Sequence, residues 1–337
     1  MVQSTKLKSK HIDPRPSQNP KMPKLVSRLL VTPRYPATAI GIEQAIASVV
    51  HLERVKDGTS RIRRAATVNL PESLVRPSFD EPNIEDRAQL ATVLNELAGS
   101  AGLLRQKRWS LSLPEATTRT LVVTIEGNAE SKAESQEVLT WKIERGFGAP
   151  LEELSVSKER IQKDPQGRER YLVIAVRKDV LAEYEVVLNS LGWRTGLILP
   201  RHLGEAQWLV RNGARGDSLL LSGFGQGFTG VIFRDKHPLI VRTVTCAPDE
   251  FEDEFYRFLL FYRDRIVPEG VEAGSRLSRL LVMGDGITRE RAGEIVNETT
   301  GGDLRPLEAH DLGLQLPGRD FSFDSIAGPA GLATLSF

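Results

Sequence analysis

The chain has 337 residues, 40% of them hydrophobic and 26% charged, and its 45 basic and 44 acidic side chains leave a formal net charge of +1. That length predicts two lobes or more, and the even charge excludes the basic footprint of a nucleic-acid binder. The lone cysteine, Cys246, excludes an internal disulfide, and no run approaches the roughly 20 apolar residues that span a bilayer, so no direct membrane span is expected.

Residues 1–24 carry six basic side chains and one acid, Asp13, among prolines and polar residues. This composition predicts a disordered basic arm and lacks the apolar centre of a signal peptide. The folded part is expected to begin near Leu25. Residues 39–70 read as strand, turn, strand, turn, strand, with connections too short for parallel crossovers, hence a β-meander. Residues 71–83 read as a loop, and 84–104 as a helix with Leu90, Val93, Leu94, Leu97 and Ala101 on one face. Strands are expected at 109–113 and 119–125, a helix at 132–145, and extended segments at 151–155 and 170–176. A further helix is predicted over 178–191, where Leu181, Tyr184, Val187, Leu188 and Leu191 recur at helical spacing; Asp179 is the expected N-cap and Gly192 the C-terminal left-handed residue. A strand at 193–199 and a helix at 203–210 follow.

The opening pattern then recurs. Strands at 218–222, 228–234 and 239–244 are joined by GFGQG and a second tight turn, so two meanders lie about half the chain apart and predict two similar facing lobes. Residues 251–262 place Phe251, Phe255, Phe258, Leu259 and Tyr262 on one helical face, which reads as core. Cys246 reads as a small buried side chain with no activating base. A short strand at 280–283 ends at Gly284-Asp285-Gly286, and a helix runs from Arg289 to about Thr299.

GFGQGF is not a dinucleotide fingerprint: Phe228 stands where the third glycine belongs, a strand follows instead of a helix, and no Walker lysine is present. The five histidines, His11, His51, His202, His237 and His310, show no metal spacing, and isolated carboxylates such as Asp324 read as solvated or capping. Yet two facing hairpins, at 43–47 and 223–227, with a third glycine turn at 284–286, form the layout by which actin-like proteins hold ATP. Such sites need acids near both hairpins to orient Mg²⁺ and the attacking water. The first hairpin keeps Glu43 but offers Gln44-Ala45-Ile46, with no hydroxyl before Ser48, and the second has Ser222 where the acid belongs.

These segments together resemble the PilM family of type IV pilus assembly. IGIEQAIASVVHLERVKDG is similar to the family's opening hairpin, WSLSLPEATTRTLVV to its entry into an inserted subdomain, and ESQEVLTWKIERGFGAPLEELSVS to the helix and strand of that insert. RYLVIAVRKDVLAEYEVVLNSLGWRTGLILP resembles the strand, helix and strand that follow, SLLLSGFGQGFTGVIFRDKHPLIVRTV the second-lobe hairpin, and FDSIAGPAGLATLSF the closing apolar helix. The resemblance covers most of residues 38–337. It implies an α/β fold of the actin-like, ribonuclease H-like duplicated class, with an inserted α+β subdomain and a much shortened second-lobe insert. The implied division is 1–24 arm, 25–108 first lobe, 109–196 inserted subdomain and 197–337 second lobe. A vestigial nucleotide site would comprise Glu43, Gln44, Ser48, Ser222, Gly223, Gly225, Gln226, Gly284, Asp285 and Gly286, with no catalytic residue, no metal and no cofactor, ATP and Mg²⁺ lacking the groups that hold them. The resemblance further implies a cytoplasmic scaffold at the inner membrane that hydrolyses no ATP. It would dock the N-terminal cytoplasmic tail of a single-pass protein resembling PilN, in a groove between first lobe and insert, with self-association into a ring allowed. The alternatives are an active ATP-binding ATPase or kinase of the actin superfamily, and a component resembling GspL of type II secretion.

Overall fold

The computed structural model describes residues 35–55, 58–126, 132–164, 166–211, 216–267, 270–318 and 321–337. The expected basic arm at 1–24 and the expected start of the fold near Leu25 lie outside the described residues.

Two short connections make the first meander. β1 (Thr38–Ile42) pairs antiparallel with β2 (Ile46–Arg54), and β2 with β3 (Ser60–Asn69). β4 (Arg108–Leu113) lies parallel to β1, and β8 (Arg194–Pro200) parallel to β4. With β13 (Leu314–Gln315) beside β3, the first sheet has six strands in the order β13-β3-β2-β1-β4-β8. The second lobe repeats the device. β9 (Asp217–Phe224), β10 (Gly227–Arg234) and β11 (His237–Thr245) form the second meander, and β12 (Leu277–Gly284) lies parallel to β9 as β4 does to β1. The expected duplication is therefore present strand for strand, down to the parallel partner of each opening strand.

Between β4 and β8 stands a separate three-stranded antiparallel sheet of β5 (Arg119–Ile125), β7 (Glu169–Arg177) and β6 (Leu154–Ile161), in the order β5-β7-β6. Helix α2 (Lys132–Phe147) packs Leu139, Ile143 and Phe147 on it. This sheet is narrower than the span 109–196 read from the sequence. Residues 109–113 and 194–200 belong to the first-lobe sheet, because parallel pairing joins segments far apart in the chain and leaves no mark in the local pattern.

Helix α1 (Arg87–Ser100) is shorter than its apolar periodicity: Asp86 caps it by accepting from Ala88 N and Gln89 N, both at 2.9 Å, and Gly102 ends it at φ +67°. Helix α3 (Lys178–Ser190) starts at the expected residue but is not capped by Asp179. Arg177 holds the N-cap position, while Asp179 lies in the first turn and accepts from Val180 N; Gly192 takes the left-handed conformation as expected. Leu90, Leu94 and Leu97 of α1 meet Tyr184, Val187 and Leu188 of α3 on the outer face of the first sheet. On the outer face of the second sheet, Phe251, Phe255, Phe258, Leu259 and Tyr262 of α5 (Phe251–Arg265) are all buried with α6 (Arg289–Thr300), so the aromatic stripe is core. Cys246 is only partly buried against that core, and burial, then Glu254 and Glu250, hold its thiol above the ordinary range, as suits an unreactive cysteine.

Helices α4 (Arg201–Arg211) and α7 (Phe323–Ala333) fill the space between the two sheets, in a core that takes residues from both lobes. Their axes approach closely because Gly204 faces Gly328 and Gly331, and Trp208 Nε1 donates to Ala327 O at 2.9 Å. A methyl group at Gly331 would fall inside the Gly204 carbonyl, whereas one at Gly318 meets nothing within 4 Å. Gly331→Ala should therefore lower stability by about 1–3 kcal/mol in denaturant titration, with Gly318→Ala close to neutral.

Candidate functional site: the interlobe cleft

The duplication aims two hairpin tips at each other. In the first, Glu43 N donates to Ile46 O at 2.9 Å and closes the turn between the paired residues Ile42 and Ala47. In the second, Gly225 and Gln226 link Phe224 to its partner Gly227. A side-chain carbon built on Gly225 would lie 3.5 Å from Gln44 Oε1, so the tips face across the gap. Between them lies a cleft of about 640 Å³.

Of the residues singled out in the sequence, Glu43, Gln44, Ser48, Gly225, Gln226, Gly284 and Asp285 all line this cleft. Ser222 and Gly223 sit at its floor, bonded to Arg201, and Gly286 turns away from it to pack on the Phe251 ring. The glycines have a local reason to be there. β9 and β12 run side by side with Gly223 opposite Gly284, and a side chain on either would strike the other strand's backbone; Gly227 meets the Val244 carbonyl in the same way.

The centre of the cleft floor is a cluster that the sequence reading missed. Arg201 is the first residue of α4 and keeps 10% side-chain exposure. Its Nη1 lies 3.3 Å from Glu43 Oε2 in the first lobe, and its Nη2 donates to Ser222 Oγ at 3.1 Å and to Gly223 O in the second. Its Nε lies 3.2 Å from Glu205 Oε1, one turn along α4. Glu115 follows β4, with Oε1 2.7 Å from His202 Nδ1 and Oε2 accepting from His202 N at 3.1 Å. One guanidinium thus pairs with two carboxyl groups, Glu43 and Glu205, beside a third, Glu115, held by His202.

Too many acids for one arginine sets their proton affinities apart. Burial pushes the Glu43 carboxyl up from 4.5 to about 8 against the pull of Arg201, with Glu115, Glu205 and Asp285 adding to the rise. Burial likewise raises Glu205, again opposed by Arg201. For Glu115 burial also works against ionisation, but His202, by charge and hydrogen bond, and then Arg201 outweigh it and bring the carboxyl to about 2. Burial opposes the charge of Arg201, and the surrounding carboxylates more than offset it, so its pKa stands above the ordinary arginine value.

Two further groups shape the rim. Asp324, read as solvated or capping, is instead paired with Arg289 at 2.9 Å. The 71–86 loop, which supplies Glu72, Ser73 and Pro77 to the cleft, is pinned by Glu183: its Oε2 accepts from Asn83 N at 2.6 Å and Ile84 N at 3.2 Å. Asn83 Oδ1 in turn accepts from Thr117 Oγ1 at 2.7 Å and Tyr184 OH at 3.1 Å. Among the described residues, no group of three or more His, Cys, Asp and Glu side chains has an arrangement that could hold a metal ion.

No family model matches the sequence, and no curated protein does. Solved structures match it by fold. A chain of a "PilM-PilN type IV pilus biogenesis complex" superposes with a TM-score of 0.69 at 16% identity, covering 90% of this chain and 99% of that one. A Bacteroides thetaiotaomicron protein of unknown function with an actin-like ATPase fold gives 0.48 at 10% identity, covering 93% of this chain and 99% of that one. The cytoplasmic domain of EpsL, an inner-membrane component of the type II secretion system of Vibrio cholerae, gives 0.41 at 13% identity, covering 73% and 81%. The chain has two duplicated α/β lobes, and its fold is that of the PilM-PilN complex chain over nearly the whole of that chain.

Glu43 gives a pH signature. Its pKa is raised in the folded protein, so the stability it allows is full below the unfolded value of 4.5 and is lost as pH rises through about 8, where a further buried charge must form. Wild-type thermal stability should fall across that window, and Glu43→Gln, which cannot ionise, should flatten the fall.

Proposed function

We propose that the chain is a scaffold of a type IV pilus-type assembly machine, cytoplasmic and peripheral to the inner membrane, which docks the N-terminal tail of a single-pass partner resembling PilN and hydrolyses no ATP. One observation carries the absence of hydrolysis: the Arg201 guanidinium stands between the hairpins and bonds to both. Glu43, the carboxylate that a magnesium ion would need, is committed to Arg201, and the second hairpin presents the Ser222 hydroxyl to the same group. A magnesium-bound triphosphate fits these residues poorly, since Glu43 holds its proton up to about 8 and offers the metal ion no ionised acid, while Arg201 is already bonded to both hairpins. The glycine turns serve strand packing and carry no argument for phosphate.

The match to the PilM-PilN complex chain supports the partner reading. So does a second groove of about 720 Å³, away from the cleft, between α1 and α3. Small side chains, Ala88, Ala91 and Thr92 on one helix and Ser190 on the other, leave room there, and Val186 is 49% exposed at its edge. An extended tail laid in this groove gains apolar contact from Val186 and Leu191. The observation that favours an ATP-binding enzyme is the cleft's volume, which is within the range of small-molecule sites.

The test is calorimetric titration with the cytoplasmic tail peptide of a candidate partner. Saturable binding is expected, weakened about tenfold or more by Val186→Asp and untouched by Glu43→Gln. Failure of the tail to bind, or loss of binding with the cleft variant alone, contradicts the reading.

A further inference from the structure

The strand ends opposite the cleft carry charge of one sign. β2 ends on Arg54, β3 opens with Arg61, Arg63 and Arg64, and β4 and β8 open on the register pair Arg108 and Arg194. The ladder sets them at one end of the sheet: Glu53 lies opposite Arg61, His51 opposite Arg64, and Thr38, which opens β1, opposite His51. The turn from α1 into β4 brings Arg105 and Lys107 to the same end, and Arg64 holds that turn by donating to Gly102 O. Within it Leu104 leaves 53% of its surface in water.

Arg54, Arg63, Arg64, Arg105, Lys107 and Arg194 are exposed, and none forms an ion pair among the described residues. The crowding is felt electrically. After burial, Arg63 and Arg64 lower the proton affinity of His51, with Glu53 pulling the other way, and Arg54 likewise lowers that of Arg211 behind burial. A chain of net charge +1 has not gathered these cations through overall excess. The cleft end is correspondingly acidic, with Glu43, Glu72, Glu115 and Asp285.

We infer that this end of the first lobe is a docking face for an anionic lipid surface, its cations meeting headgroup phosphates and Leu104 entering the layer beneath them. Cations around one exposed leucine match a bilayer interface, which offers charge and an apolar layer together; a nucleic-acid duplex offers phosphates on its surface without that layer. The inference does not rest on the partner reading, since it needs no peptide.

Sedimentation of the full chain with vesicles tests it. Vesicles containing phosphatidylglycerol should bind the protein and pure phosphatidylcholine vesicles should not, and added salt should weaken the binding. Arg63→Gln combined with Lys107→Gln removes two cations that make no side-chain hydrogen bond among the described residues and should weaken binding roughly 30-fold, at about fivefold per charge. Leu104→Ser should weaken it further, with thermal unfolding of both variants unchanged. Equal binding to both vesicle types, wild-type binding by the double variant (which would assign it to the basic residues before position 25), or tighter binding to a DNA duplex than to anionic vesicles would overturn the inference.

Discussion

A buried guanidinium joins the two lobes, and much of the interior is arranged around keeping it there. Arg201 reaches Glu43 on one side of the cleft and Ser222 with the Gly223 carbonyl on the other, while Glu205 and Glu115 close its surroundings. Each group desolvated here depends on the others. Removing the arginine would leave carboxylates buried without a counter-charge, a loss on the order of 3–5 kcal/mol for a broken buried pair. The approach of α4 to α7 through Gly204, Gly328 and Gly331 belongs to the same constraint, because it fixes the helix on which Arg201 and Glu205 stand.

The same floor explains why the glycine turns resemble phosphate loops. Gly223 and Gly284 face each other across adjacent parallel strands, and the backbones come too close for any side chain. In a nucleotide-binding relative such an approach would leave amides free to meet phosphate. Here the Gly223 carbonyl accepts from Arg201 instead, and Glu43, the acid of the first hairpin, lies against the same guanidinium.

The sequence made the repeated parts of the molecule readable. Both meanders, the aromatic helix with its buried Phe251-to-Tyr262 stripe, and the helix ending at Gly192 follow from spacing that neighbouring residues enforce on one another. The facing hairpins followed from the repeat, and with them Glu43, Gln44 and Asp285. Arg201 did not, since nothing in RHLGEAQW marks an arginine whose partners lie on two other segments, although its i, i+4 spacing to Glu205 at the start of a helix was a faint signal. Glu115 after a proline and the Asn83–Glu183 pin were hidden for the same reason, both being joined only by tertiary packing. The parallel neighbours β4 and β8 escaped the domain boundaries because parallel pairing has no local signature.

The first lobe carries acids at the cleft and cations at the far strand ends, and the proposed loss of nucleotide binding rests on the cleft alone, where Arg201 already bonds to both hairpins. Thermal unfolding of the purified chain with increasing ATP and Mg²⁺ measures this most directly. The account predicts no saturable shift. Stabilisation that saturates, reaching about 2.7 kcal/mol at a hundredfold excess over Kd and vanishing in Glu43→Ala, would contradict it.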